Sequence, residues 1–161
     1  MTEIIKNVFF DEFYLTMVRV LQLTELFKEK KDYKLSIKKM VLFDFYLRFP
    51  STVLEDVVFE NFDEKYSFYH WKPNYALYDA VVSILIGKDL IMRLEVGNDK
   101  YYKITDKGLE AIIYMYCAYI HQLKETGTYI VNMLSKLSDS KIDEDIIRKS
   151  SYINKGVKNN E

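Results

Sequence analysis

The sequence predicts a mainly α fold of the α+β kind, and three observations carry that prediction. Residues Asn74 to Leu90 form a largely apolar helical stretch. Met92, Leu94 and Val96 then alternate with Ile91, Arg93 and Glu95, and Lys100 to Ile104 alternates again, so two half-buried strands of period two flank a Gly97-Asn98-Asp99 turn. Thr105 or Asp106 next offers a side-chain oxygen to the free amides of a further helix, whose first apolar face is Leu109, Ile112 and Ile113. Helix, hairpin and capped helix in this order outline a winged helix with long N- and C-terminal helices and a two-stranded β-hairpin wing. Residues 1–150 are expected to form that single domain, and 151–161 a disordered C-terminal tail without an apolar anchor.

Upstream of this module, Phe10, Phe13, Tyr14, Met17, Val20, Leu21, Thr24 and Phe27 fall at helical spacing and predict a first helix from about Val8 to Glu29. Leu15, Leu23 and Leu26 lie off that stripe, so a second side of the helix is also apolar and another chain is expected to cover it. Ser36 is placed to cap a second helix, Ile37 to Phe49, apolar around most of its circumference and therefore deeply buried. Within it Asp44 precedes Arg48 by four residues, and a structural i, i+4 ion pair outweighs a catalytic carboxylate. Pro50 ends the helix by withholding an amide and pushing Phe49 out of the helical region.

From Ser51 to Lys72 the pattern becomes an irregular aromatic connector, and His70 within it has no second ligand at metal spacing. In the third helix Leu77, Ala80, Val81, Ile84, Leu85 and Lys88 share one face, and Val82 and Ile86 widen it, leaving little for water. After the hairpin, Leu109 to Glu125 reads as one long helix, Gly127 as an interruption, and Tyr129 to Leu137 as a resumed apolar pattern. Ile142, Ile146 and Ile147 are spaced to dock a last short helix.

Composition restricts the function classes. Twenty-three Lys and Arg against 24 Asp and Glu give a formal net charge of −1, which supplies no global cationic field for nucleic acid. The single cysteine, Cys117, cannot form an internal disulfide, no apolar run reaches about 18 residues, and no secretory pattern opens the sequence, so a cytoplasmic protein is expected. Fourteen Tyr and ten Phe in so small a chain suggest that some rings meet a partner.

Catalytic chemistry is hard to place. Cys117 and His121 lie one helical turn apart, but their neighbours are packing residues and no third orienting group is visible, so the pair reads as structural. The five glycines form no phosphate-cradling run, and no His, Cys and carboxylate cluster has ligand spacing, so neither cofactor, metal nor small-molecule substrate is expected. The third helix offers one cation, Lys88, and two acids, a poor set for reading base edges. The candidate DNA contacts are the cluster Lys30, Lys31, Lys34, Lys38 and Lys39, together with Arg93, Lys100 and Lys103 of the wing, where weak duplex contact is expected at most. The candidate partner interface is Tyr14, Leu23, Leu26, Tyr75, Tyr78, Val82 and Ile86, on the two helices of broad apolar girth.

The run Lys39-Met40-Val41-Leu42-Phe43-Asp44-Phe45-Tyr46-Leu47, the helix closing in Gly87-Lys88-Asp89-Leu90-Ile91, and Tyr102-Lys103-Ile104-Thr105-Asp106-Lys107-Gly108 resemble, in that order, the middle component of ABC-three-component systems. That group includes the small subunit of Lamassu-type antiphage defence, and the layout matches over roughly Val20 to Leu137. The chain departs from it at Phe49-Pro50-Ser51, where members carry a His-Ser pair, and at Tyr75 to Asp79, where they carry an Arg pair. The resemblance implies a non-enzymatic subunit joining an SMC-like or Rad50-like ATPase to an effector, such as a nuclease, with no membrane involvement. The alternative class is a small winged-helix transcription regulator, dimerised through Leu109 to Leu137.

Overall fold

The structure is a computed structural model that describes residues 2–30, 34–50, 72–115 and 117–158, with side chains from 12 to 149 within those ranges. The expected connector from Ser51, His70, Lys31 and Tyr116 lie outside the described residues. The elements in chain order are α1 (Thr2–Leu26), a 3-10 turn (Phe27–Glu29), α2 (Ile37–Arg48) and α3 (Tyr75–Gly87). They continue with β1 (Ile91–Val96), β2 (Asp99–Ile104), α4 (Asp106–Tyr114), α5 (Ala118–Leu134) and α6 (Asp139–Lys158). The described residues form a mostly helical α+β arrangement with an antiparallel hairpin.

Helix α2 is the hub. Ser36 caps it as expected, its hydroxyl accepting from the Lys39 amide at 3.1 Å. Met40 to Leu47 are all buried, because α1, α3, α5 and α6 pack around it. Its apolar circumference is thus satisfied within the chain. At the far end Phe49 leaves the helical region (φ −130°, ψ 65°), as a residue before proline must. Leu23 of α1, expected to need cover from another chain, is wholly buried in the same core, and Phe27 meets Phe43 edge-on with ring centroids 5.2 Å apart.

Helix α3 is rotated relative to the face read from sequence. Asn74 caps it, and its core side is Tyr78, Val81, Val82 and Leu85, while Ala80 and Ile84 are exposed. The reason is Tyr78: its ring and hydroxyl go inward to Asp44, which turns Ala80 and Ile84 out. At the C-terminal end Leu90 N donates to Leu85 O and Asp89 N to Ile86 O, both at 2.9 Å, a Schellman closure with Asp89 in the left-handed region (φ 59°). An L side chain other than glycine is strained there. Asp89→Gly is therefore expected to stabilise the chain by about 0.5–1 kcal/mol, read as a higher urea midpoint.

The hairpin forms as predicted, with Ile91 opposite Ile104, Arg93 opposite Tyr102 and Glu95 opposite Lys100. Gly97, the first of two turn residues, has φ 63°, which suits a glycine in a tight hairpin. One sheet face grades from buried Ile91 and Ile104 at the base, through Tyr102, to Arg93, Glu95 and Lys100 at the tip. Met92, Leu94 and Val96 occupy the other face, and Met92 and Val96 are exposed. The Tyr102 amide donates to Leu35 O at 3.0 Å, so the segment before α2 lies along the free edge of β2.

Of the two candidate caps, Thr105 is the one that opens helix α4, its hydroxyl accepting from the Gly108 amide at 3.0 Å. The single long helix expected over Leu109 to Glu125 is instead two. Cys117 is extended (φ −151°, ψ 168°) and α5 begins after it. Gly127 does not interrupt α5. It lies at a close crossing, where a Cβ would stand 2.5 Å from Leu26 Cδ1 and 3.3 Å from Leu47 Cδ2, so glycine serves helix packing there.

Helix α6 docks on α2 through fully buried Ile142 and Ile146, while Ile147 is half exposed. Its backbone is helical to Lys158, through the first part of the stretch read from sequence as a disordered tail. Polar contacts fix its orientation: Lys39 pairs with Asp139 at 3.3 Å, and Tyr46 donates to Asp145 Oδ2 at 2.6 Å. Burial, then the hydrogen bond to Asp145, pushes the Tyr46 phenol up. Burial alone would raise Asp145, but hydrogen bonds from Lys149, Tyr46 and Arg148 more than offset it and hold that carboxyl below its ordinary value.

These shifts set a pH window. A lowered carboxyl contributes stability above its unfolded value of about 3.9, lost as pH falls through the native value. A raised phenol contributes stability below about pH 10, lost as pH rises through its native value. The urea midpoint is thus expected to fall at both extremes. Because Tyr78 and Tyr102 are also raised by burial, Tyr46→Phe should reduce the alkaline loss without abolishing it.

Candidate functional site: a cleft over a buried ion pair

Beneath the N-terminal end of α3 lies a cleft of about 750 Å³, walled by α1, α2, α3 and α5. Its floor is a charged cluster that sequence reasoning assigned to other partners. Arg19 Nε donates to Asp44 Oδ1 at 2.6 Å and Arg19 Nη2 to Asp44 Oδ2 at 3.3 Å, a forked pair. Tyr78 also donates to Asp44 Oδ2, and Arg19 Nη2 reaches Thr16 Oγ1 at 3.0 Å and Glu12 Oε1 at 3.4 Å. Asp44 is fully buried and Arg19 nearly so.

The structural reading of Asp44 stands, but its partner is Arg19, twenty-five residues away, and not Arg48. Arg48 extends outward, 3.9 Å from Glu12 and over the Phe49 ring. The reason is directional: Asp44 faces the α1–α3 seam, and Arg48 lies at the exposed end of α2. Burial by itself would lower the Arg19 guanidinium, but the charge and hydrogen bond of Asp44 raise it above its ordinary value. Burial, then the Asp44 charge, pushes the Tyr78 phenol up as well.

Chemically this floor is saturated. Both Asp44 oxygens are occupied, a guanidinium donates hydrogen bonds without releasing a proton, and Tyr78 is held neutral, so the cluster orients helices and is not poised for proton transfer. Tyr119, Gln122 and Asn74 line the cleft above it and provide polar groups. Cys117 is exposed, while His121 reaches Glu125 at 3.5 Å; the two are joined by a backbone bond, His121 N to Cys117 O at 3.1 Å. Among the described residues no group of His, Cys, Asp and Glu is arranged to hold a metal ion, and no helix is long and apolar enough to cross a membrane.

The residues expected at a partner interface divide. Leu23, Tyr78 and Val82 are buried in the chain's own core and Leu26 packs at the Gly127 crossing, whereas Tyr14, Tyr75 and Ile86 are exposed. The basic cluster also divides: Lys30 donates to Asn132 Oδ1 at 2.9 Å and Lys39 pairs with Asp139, which leaves Lys34 and Lys38 as its exposed described members. On the hairpin Arg93 pairs with Glu95 at 3.3 Å, and Lys100 and Lys103 are exposed.

Arg19 was the residue missed from sequence. The available signal was the polar series Glu12, Thr16, Arg19 at helical spacing inside an apolar stripe. No protein-family profile, curated protein or solved structure matches the chain.

Proposed function

We propose that the chain is a winged helix serving as a non-catalytic adaptor in the cytoplasm, linking an SMC-like ATPase to an effector in a defence complex. The order of three helices, hairpin and capped helix supports the winged-helix reading, as does the Leu35 segment lying where a short third strand would pair with β2. The observation that carries the adaptor role is the outer face of α3, the helix in the position that other winged helices place in a groove. It presents Tyr75, Ala76, Asp79, Ala80, Ser83, Ile84 and Ile86, without one Lys or Arg between Tyr75 and Gly87. Such a face lacks the fork donors that read bases and the cations that hold phosphate, and it suits a polypeptide.

The test is co-purification. The tagged chain, expressed together with its genomic neighbours, should retain an ATPase and an effector. Recovery of the chain alone from such cells would overturn the proposal.

A second reading, a homodimeric regulator, is favoured by one feature: Tyr129, Met133 and Leu137 form an exposed stripe along and just beyond α5. It requires a dimer in solution and a steeply salt-dependent shift of a palindromic duplex. If instead the chain touches DNA only weakly through Lys34 and Lys38, reversing both to Glu should reduce duplex binding and its salt slope by about one or two charges.

A further inference from the structure

We infer that the groove between α3 and the hairpin is the docking site for a peptide segment of an adaptor partner, one that carries an acidic residue beside an aliphatic one. The inference rests on the adaptor reading and specifies its surface. The groove encloses about 370 Å³. Its floor is apolar, made by Ile37 and by buried Val82 and Tyr102, and Ile86 is exposed at the rim.

The walls carry opposite charge. Arg93, paired with Glu95, and Lys100 stand on the hairpin side, and Asp79 and Ser83 on the α3 side. Register explains the first wall: Arg93 lies opposite Tyr102 and Lys100 opposite Glu95, so both cations project from the sheet face that turns toward α3. Helical spacing explains the second, because Asp79, Ser83 and Ile86 follow at steps of four and three along one side of α3.

A two-signed rim over an aliphatic floor discriminates between occupants. Glu95, paired with Arg93, weakens the hold on any anion, and a phosphate backbone, charged at every unit, would also meet Asp79 across the groove, whereas a single carboxylate needs only the hairpin side. A peptide meets both walls: one aliphatic side chain enters the floor, a neighbouring carboxylate turns to Arg93 and Lys100, and a donor on the other side turns to Asp79. Such a fit is that of a short segment laid in a groove, with charge setting orientation and the apolar side chain supplying affinity.

Selection from a displayed random-peptide library on the full chain tests this. The selected peptides should share an Asp or Glu next to Leu, Ile, Met or Val, and their binding, read by fluorescence anisotropy, should weaken at least tenfold in the Arg93→Glu, Lys100→Glu double variant. Selection on that variant should return peptides with Lys or Arg at the formerly acidic position. Both substitutions are at exposed positions, and an unchanged melting curve establishes that the variant is folded. Failure to select any peptide, a consensus without an acid, affinity indifferent to the reversal, or displacement of the selected peptide by duplex DNA would each overturn the inference. If the groove variant still co-purifies with the ATPase and effector, this docking site falls while the adaptor role stands.

Discussion

Asp44→Ala is expected to destabilise the fold by about 3–5 kcal/mol, because it leaves the Arg19 guanidinium in the core without its counter-charge. The loss exceeds what any one hydrogen bond contributes, since the cost lies in desolvating an unpaired ion. Tyr78→Phe, which removes one donor and leaves the pair intact, should cost about 1.5–3 kcal/mol. Arg48→Ala should change stability by no more than about 1 kcal/mol, because its contact with Glu12 is partly exposed and long. Replacing the three buried groups together, as Arg19→Met, Asp44→Leu and Tyr78→Phe, should recover most of the loss if the cluster serves orientation. Urea unfolding of the four proteins checks this order, and a large effect at Arg48 with a small one at Asp44 would refute it.

Gly108→Ala should destabilise by about 3 kcal/mol or more. A Cβ at this position would stand 2.1 Å from the Leu90 carbonyl oxygen and 2.8 Å from Ile104 Cγ1. The first atom is backbone in the corner between α3 and β1, so relief requires moving α4 or the hairpin root. Gly127→Ala is the control. There the nearest atoms are the ends of the Leu26 and Leu47 side chains, which give more easily than backbone, and alanine gains helix propensity of roughly 0.8–1 kcal/mol over glycine, so the net change should stay within about 1 kcal/mol. Equal effects at the two glycines would mean that the α4 corner yields more easily than its geometry indicates.

What the sequence made legible was local. Caps at Ser36 and Thr105, the stop at Pro50 and the alternation around Gly97 are all set within a few residues, and each element begins or ends there. What it concealed was set by contacts distant in the chain. Arg48 is the nearest cation to Asp44 in sequence, yet Arg19 reaches it across the α1–α2 seam, and Tyr78 follows from the other side. Hence α3 turns about its axis, and the face that periodicity assigned inward, Ala80 and Ile84, meets solvent. The helix break at Cys117 was hidden for a related reason: apolar spacing continues through it, and no Gly or Pro marks it. Gly127 gave the opposite error, since glycine in a helix can mark a breach or a close crossing and only the partner helix decides which.

The same distinction applies to the candidate interface. Apolar girth on α1 and α3 suggested a missing partner, but Leu23 of α1 and Tyr78 and Val82 of α3 are part of the chain's own core. Girth alone could not separate a covered helix from an uncovered one. Among the described residues, Tyr14 of α1, the outer face of α3 and the stripe Tyr129, Met133 and Leu137 are apolar groups left exposed.

Thr105 has a mechanical consequence. Its hydroxyl, with a single hydrogen to donate, stands 2.6 Å from the Asp89 carbonyl oxygen and 3.0 Å from that of Leu90 while accepting from Gly108, and its amide donates to Leu90. One residue thereby bolts together the exit of α3, the closing end of β2 and the first turn of α4. Pivoting the hairpin at its root would therefore break the contacts of Thr105 with the α3 exit and the first turn of α4 together, so motion at its tip is coupled to both helices.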